Sequence, residues 1–151
     1  MKLVPLLTYY AHLSEVISVG AGMYGNRMIV EVDGGEFEGP RLKGTLRRAG
    51  CADWATMAED YVHLDVRGTF ETHDGAFIYV EYYGRLELTP AVQAALAGEG
   101  STEYEESYFV TTPRMQTGDP RYQWVNNIMC VARGKLSPGR VDYEVFEVKN
   151  D

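Results

Sequence analysis

Asp53 and Trp54 stand side by side at the end of a glycine-rich stretch, GGEFEGPRLKGTLRRAGCADW (34–54). A carboxylate held against an indole is desolvated, and desolvation lifts its pKa toward the range where it can both take and return a proton near neutrality. Asp53 is therefore the candidate proton-transfer group, and an Asp turn with a Trp plug at a barrel end is the structural alternative. A second constellation lies in YVHLDVRGTFET (61–72), where His63, Asp65 and Arg67 share one face of an alternating segment. That face either meets water or lines a polar lumen. In the second case Arg67, or Arg27 upstream, stabilises the oxyanion left when a proton departs, aided by a tyrosine hydroxyl.

Other chemistries lack their residues. His12, His63 and His73 fall on separate segments without HxH or HExxH spacing, so no metal is expected. No GxSxG surrounds a serine, and Cys51 and Cys130 have no partner base, no CxxC spacing and no disulfide framework. Neither a Gly-Lys-Ser/Thr loop nor a strand-to-helix GxGxxG is present. Proton chemistry without a cofactor is what remains. The net charge of −8 and the pI near 4.9 deny a nucleic acid or an anionic membrane surface the basic footprint it needs. The expected partner is a small molecule. Eleven tyrosines and two tryptophans, most of them explained by strand propensity and packing, also suit a planar, oxygenated organic ligand. The expected ligand contacts are Trp54, Lys43, Asp65, Tyr79, Tyr122, Trp124 and Asn126.

The elements that must position these groups are strands. In 61–72, Val62, Leu64, Val66 and Phe70 alternate with polar residues; HDG (73–75) signals a turn, and AFIYVEYYGRLEL resumes as the second strand of a hairpin. LLTYYAHL, NRMIVEVDGG, SYFVTTP, YQWVNNIMCVARG and RVDYEVFEV carry the same β-branched and aromatic content. Gly34-Gly35 closes a turn, Gly39-Pro40 marks a bend, and Gly44 permits a close approach within a strand. One helix is expected, from Pro90 to Leu96, with Thr89 as N-cap and Gly98 as the stop. The fold class is all-β: residues 1–151 form a single domain, one antiparallel barrel of about eight strands with one short helix. No stretch approaches the roughly 20 apolar residues of a transmembrane helix, no signal peptide is read, and two free thiols suit a cytoplasmic protein.

The ordered motifs GNR, GGEFEGPRLKG, GCADW, LDVRGTFETHDGAFIYV and YFVTTPRMQTGDPRYQWVNN, from about Gly22 onward, resemble the small barrel family catalogued as domain of unknown function 3237. The resemblance implies a lipocalin-like β-barrel that tends to form homo-oligomers and carries no broadly assigned activity. Family-like positions include Arg27, Phe37, Asp53, Trp54, Asp65, Arg67, Thr72, Asp74, Tyr122, Trp124 and Asn126. Gly68 departs from the family, which often has an aromatic after the arginine, and is expected to open space beside Arg67. The functional expectation is a cofactor-independent isomerase, cyclase or lyase acting on an aromatic or keto/enol metabolite; the alternative is a non-catalytic binding or sensing barrel. A purely structural subunit that assembles through exposed strand edges is the third reading.

Overall fold

Strict alternation from Tyr61 to Thr72 becomes strand β5, with Val62, Leu64, Val66, Gly68, Phe70 and Thr72 buried and every intervening side chain outside or half-buried. The HDG turn, with Gly75 at φ +89°, leads into β6 (Phe77–Glu87). The computed structural model describes all residues, 1–151. The remaining strands are β1 (Lys2–Gly22), β2 (Gly25–Glu38), β3 (Lys43–Leu46), β4 (Ala52–Ala58), β7 (Phe109–Thr111), β8 (Arg114–Gln116), β9 (Cys130–Ser137) and β10 (Arg140–Lys149). Helix α1 covers Pro90–Leu96, capped by the Thr89 hydroxyl, which accepts the Val92 N–H at 3.2 Å.

All ten strands belong to one antiparallel sheet that closes on itself. Eight make the ring, in the order β5–β4–β2–β1–β10–β9–β7–β6 and back to β5; β3 bridges β2 and β5, and β8 adds to β6. The inward residues form one apolar core. One end is filled by an aromatic stack in which Phe37 and Phe70 lie 4.7 Å apart, Tyr9 and Phe70 5.3 Å, and Tyr9 and Tyr143 4.8 Å between ring centroids. Each such fully buried side chain contributes about 1.5–3 kcal/mol relative to exposure. Elsewhere α1 buries Val92 and Ala95, and Leu96 reaches the opening of the lumen.

Two local expectations are corrected. Gly34-Gly35 does not close a turn: β2 runs through it as a bulge, and the register with β1 slips between Leu13↔Val32 and Ala11↔Gly35. Gly34 sits at φ +80° and Gly35 at φ +153°, and a side chain at Gly35 would run into the Tyr10 carbonyl. The segment YQWVNNIMCVARG is a strand only from Cys130; Gln123–Asn127 winds as a 3₁₀ turn. Side chain overrides propensity there, since the Asn126 amide exchanges two hydrogen bonds with the Thr117 backbone, at 2.8 and 2.9 Å.

β1 is far longer than LLTYYAHL. Its pairing with β10 ends at His12↔Arg140, after which Leu13 N–H reaches the Gly139 carbonyl. Onward to Gly22 it pairs only with β2, whose Asn26–Glu31 stretch pairs with β4 in turn, so this arm of β1 has one open edge, with Val16 and Val19 on it and Met23 and Tyr24 beyond its end exposed. No helix is long and apolar enough to cross a membrane.

Candidate functional site

The ring encloses an apolar cavity of about 90 Å³ whose wall is formed by 23 residues, 21 of them hydrophobic. Asp53 is the only charged side chain in that wall. Alternation along β4 explains why: Asp53 and Ala55 point inward, so Trp54 between them points out. The desolvation of Asp53 therefore comes from the aliphatic lumen, from neighbours such as Val30 and Val66, and not from the adjacent indole. Burial pushes its carboxyl up to about 6; the Asp65 N–H opposes that rise, the Asp65 charge adds to it, and the Arg27 charge opposes it.

The strand around Asp53 is locally opened. The β4–β5 ladder pairs Ala52↔Arg67 and Asp53↔Val66, omits the next two pairs, and resumes at Thr56↔His63. Two of the backbone groups in that gap are taken up by side chains. Asp53 Oδ1 accepts the Asp65 N–H at 2.9 Å, and Arg27 Nη1 donates to the Trp54 carbonyl at 2.6 Å. A carboxylate fixed through one oxygen is held in orientation by the backbone itself.

Three phenols share the lumen with it. Tyr9, Tyr82 and Tyr143 all line the wall, and the Tyr82 and Tyr143 centroids are 5.7 Å apart. Burial drives all three pKa values up, so each stays a neutral O–H donor at any physiological pH. The Tyr9 hydroxyl makes no hydrogen bond of normal geometry. Cys51 also lines the wall, its thiol pushed up to about 11 by burial, which leaves it protonated and a poor nucleophile. Its sulfur fills the place of the side chain that Gly68 lacks: a Cβ there would lie 2.6 Å from Cys51 Sγ. The space left by Gly68 is thus on the lumen side and occupied, not beside Arg67.

The other expected site residues lie outside the lumen. Arg67 is exposed and stacks on the outer face of Trp54, 4.3 Å from the ring centroid. Asp65 lies with Arg67, Glu81 and Arg114 in a small polar cleft. Lys43 belongs to a second, more polar concavity that also contains Glu38, His73, Tyr104 and Arg140 and that shares Tyr9 and Tyr143 with the lumen. Tyr79 donates its hydroxyl to Glu81 at 3.0 Å. Trp124 lies under the Arg41 guanidinium, 3.5 Å away, and Asn126 is engaged with Thr117. Tyr122 is buried, and its hydroxyl donates to Asp74 at 2.8 and 2.9 Å. Asp74 also accepts from Thr72 Oγ1 at 2.6 Å, so this knot ties the 119–127 segment to the β5–β6 turn. Of the ten expected residues, then, only Asp53 faces the cavity, while Arg27 acts on it across the strand. Tyr9, Tyr82, Tyr143 and Cys51 were missed, although Tyr9 keeps step with Leu7 and Ala11, Tyr82 with Ile78 and Val80, and Tyr143 with Val141 and Val145. No group of three or more His, Cys, Asp or Glu side chains is placed to hold a metal.

Comparison with known proteins sets this geometry in context. The family model described as "Protein of unknown function (DUF3237)" matches residues 1–148. A UPF0311 protein of Rhodopseudomonas palustris is 31% identical over 144 residues, covering 95% of this chain and 94% of the relative. The crystal structure of a conserved protein of unknown function from Rhodopseudomonas palustris superposes with a TM-score of 0.89 at 30% identity, covering 98% and 97% of the two chains. A β-barrel-like protein from Acinetobacter baumannii gives 0.81 at 27% identity, covering 98% and 96%. An enzyme from Penicillium herquei shares the fold at a TM-score of 0.66 and 18% identity, covering 97% and 94%.

Proposed function

The chain belongs to the DUF3237 family, and we propose its function from its own cavity: cofactor-independent acid–base catalysis on an oxygenated organic metabolite, as an isomerase, cyclase or lyase. The observation that carries this reading is a single carboxylate in an apolar chamber, fixed through one oxygen and raised to about 6. Such a group is mostly ionised at neutral pH, hence a base, yet close enough to neutrality to hand the proton back. Asp53 takes a proton from a carbon beside a carbonyl. The electron pair left by the broken bond moves onto the carbonyl oxygen, which a neutral phenol of the lumen meets as a hydrogen-bond donor. Return of the proton from Asp53 to another atom completes an isomerisation; closure of a ring or loss of a leaving group gives the other two outcomes.

This assigns the oxyanion to a tyrosine and leaves the guanidiniums with supporting work. Arg27, bonded to the Trp54 carbonyl, acts on Asp53 through its charge. That a distant structural neighbour is an enzyme is compatible with chemistry in this barrel, and no more. The exposed apolar arm offers a homo-oligomer its contact surface.

Deuterium exchange tests the reading without knowledge of the natural substrate. In D₂O, the protein should accelerate α-proton exchange of cyclohexanone, followed by ¹H NMR. Asp53→Asn should lose that acceleration by roughly 10²–10⁴-fold, the usual share of a general base. Equal exchange by the variant and the parent removes Asp53 from the chemistry, and no exchange by either favours a carrier.

A further inference from the structure

The cavity also states what it will not accept. Its wall holds no lysine, arginine or histidine, and Asp53 is its one charge. Arg27, the cation whose charge acts on that carboxylate, is bonded to the Trp54 carbonyl, and Arg67 lies on the outer face of the Trp54 ring. A carboxylate or phosphate entering the lumen would leave water, find no cation, and approach a like charge in a medium of low dielectric. An uncharged oxygen fares differently. Tyr9 is only 5% exposed, lines the wall, and its hydroxyl makes no hydrogen bond of normal geometry, with the Tyr82 phenol as its one weak neighbour. A buried hydroxyl without a full partner loses the hydration it had in water, a cost that a ligand oxygen recovers.

Size narrows the class further. A cavity of about 90 Å³ is smaller than the ~150 Å³ apolar cavity known to take up benzene. What the lumen itself takes in is therefore smaller than benzene, the carbonyl-bearing edge of one ring or a short chain, and the rest of the molecule lies at the opening, among the half-buried Leu13 and Met28 and the exposed Leu96.

Resting on the acid–base reading of the same cavity, we infer that the ligand presents an uncharged carbonyl on a single ring or short chain, its oxygen toward the Tyr9, Tyr82 and Tyr143 hydroxyls, and that carboxylates and phosphate esters are excluded. Selectivity then follows from the wall: the phenols choose an acceptor oxygen, and Asp53, with no compensating cation, rejects anions.

Three six-membered-ring probes separate these statements: cyclohexanone, its isostere methylenecyclohexane, and the anion cyclohexanecarboxylate, titrated into ¹³C-tyrosine, ¹⁵N-labelled protein. Cyclohexanone should give saturable shifts of the Tyr9, Tyr82 and Tyr143 ring signals and of the Asp65 amide. Cyclohexanecarboxylate should bind at least about tenfold more weakly, one decade being about 1.4 kcal/mol. Tyr9→Phe should bring cyclohexanone down to the level of methylenecyclohexane without weakening the latter. Should that variant fail to fold, the three-probe series on the parent protein decides alone. Carboxylate binding as tight as that of the ketone, or no saturable shift with the ketone, overturns the inference. A preference for the ketone without deuterium exchange would sink the catalytic reading while the selectivity stands. Exchange accompanied by a preference for the carboxylate would do the reverse.

Discussion

Asp53 Oδ1 accepts the backbone N–H of Asp65 at 2.9 Å, at the place where the β4–β5 ladder omits two residue pairs. A strand that forgoes regular pairing there to seat a carboxylate in an apolar chamber carries an electrostatic cost, and the cost has a pH signature. In the unfolded chain Asp53 titrates near its ordinary 3.8; in the folded chain it titrates near 6. Below the lower value both states are protonated and the penalty is absent. As the pH rises from about 4 to about 6 the unfolded state releases its proton first, so stability falls across that window and stays level above it.

Asp53→Asn should remove that slope. It keeps an oxygen for the Asp65 N–H and carries no charge to desolvate. Urea melts at pH 4, 5, 6 and 7.5 should show parent and variant diverging with rising pH. Above pH 6 the variant should be the more stable, by on the order of 3 kcal/mol, because each tenfold difference in proton affinity between the folded and unfolded chains is worth about 1.4 kcal/mol. A difference that does not depend on pH contradicts the burial of the carboxylate.

Removing the nearest favourable charge should move Asp53 further from its ordinary value. Arg27 lowers the Asp53 pKa by its positive charge, so Arg27→Gln, which removes that charge, should raise it. The acid limb of the pH profile for cyclohexanone exchange should shift upward. Arg67→Ala, on the outer face, should leave that limb in place and change Trp54 emission instead, because the guanidinium covers its ring.

Gly68 is a packing requirement of Cys51. Gly68→Ala places a methyl 2.6 Å from the sulfur and should cost about 1–3 kcal/mol as overpacking. Adding Cys51→Ala to it should recover most of that loss, and thermal melts of the four combinations measure the coupling directly.

Tyr122→Phe should destabilise the protein by about 0.5–1.5 kcal/mol, since it removes the donor to a part-buried knot around Asp74. Ketone affinity should stay at the parental level. Weaker ketone binding in a fully folded variant would return Tyr122 to the site.

What was legible in the chain is strongest where a pattern has one physical cause. Val62 through Thr72 alternate because one face is core, and Thr89-Pro90 starts a helix whatever surrounds it. Asp53 stood out for its chemistry, but the expected partner was the residue next to it in sequence. On a strand the neighbour in sequence is the wrong one, because adjacent side chains occupy opposite faces. That same parity, applied to Tyr9, Tyr82 and Tyr143, would have placed three phenols in the lumen. Other features depend on contacts distant in sequence and leave no local trace. The Asn126–Thr117 pair wound an aromatic, β-like segment into a 3₁₀ turn, and β1 supplied the Tyr10 carbonyl that makes Gly35 part of a bulge. Arg67 and Trp54 share a face as outward residues of adjacent strands, so a cation and an indole that suggest a site form a surface stack.

Asp53 is a carboxylate half-buried in an apolar lumen and poised near neutrality, and its own titration tests this most directly. The side-chain carboxyl ¹³C signal of Asp53, assigned by its loss in Asp53→Asn, should titrate in the folded protein with a midpoint of about 6. A midpoint near the ordinary aspartate value of about 4 would mean that the carboxylate is open to water, and the acid–base account of this barrel would fail.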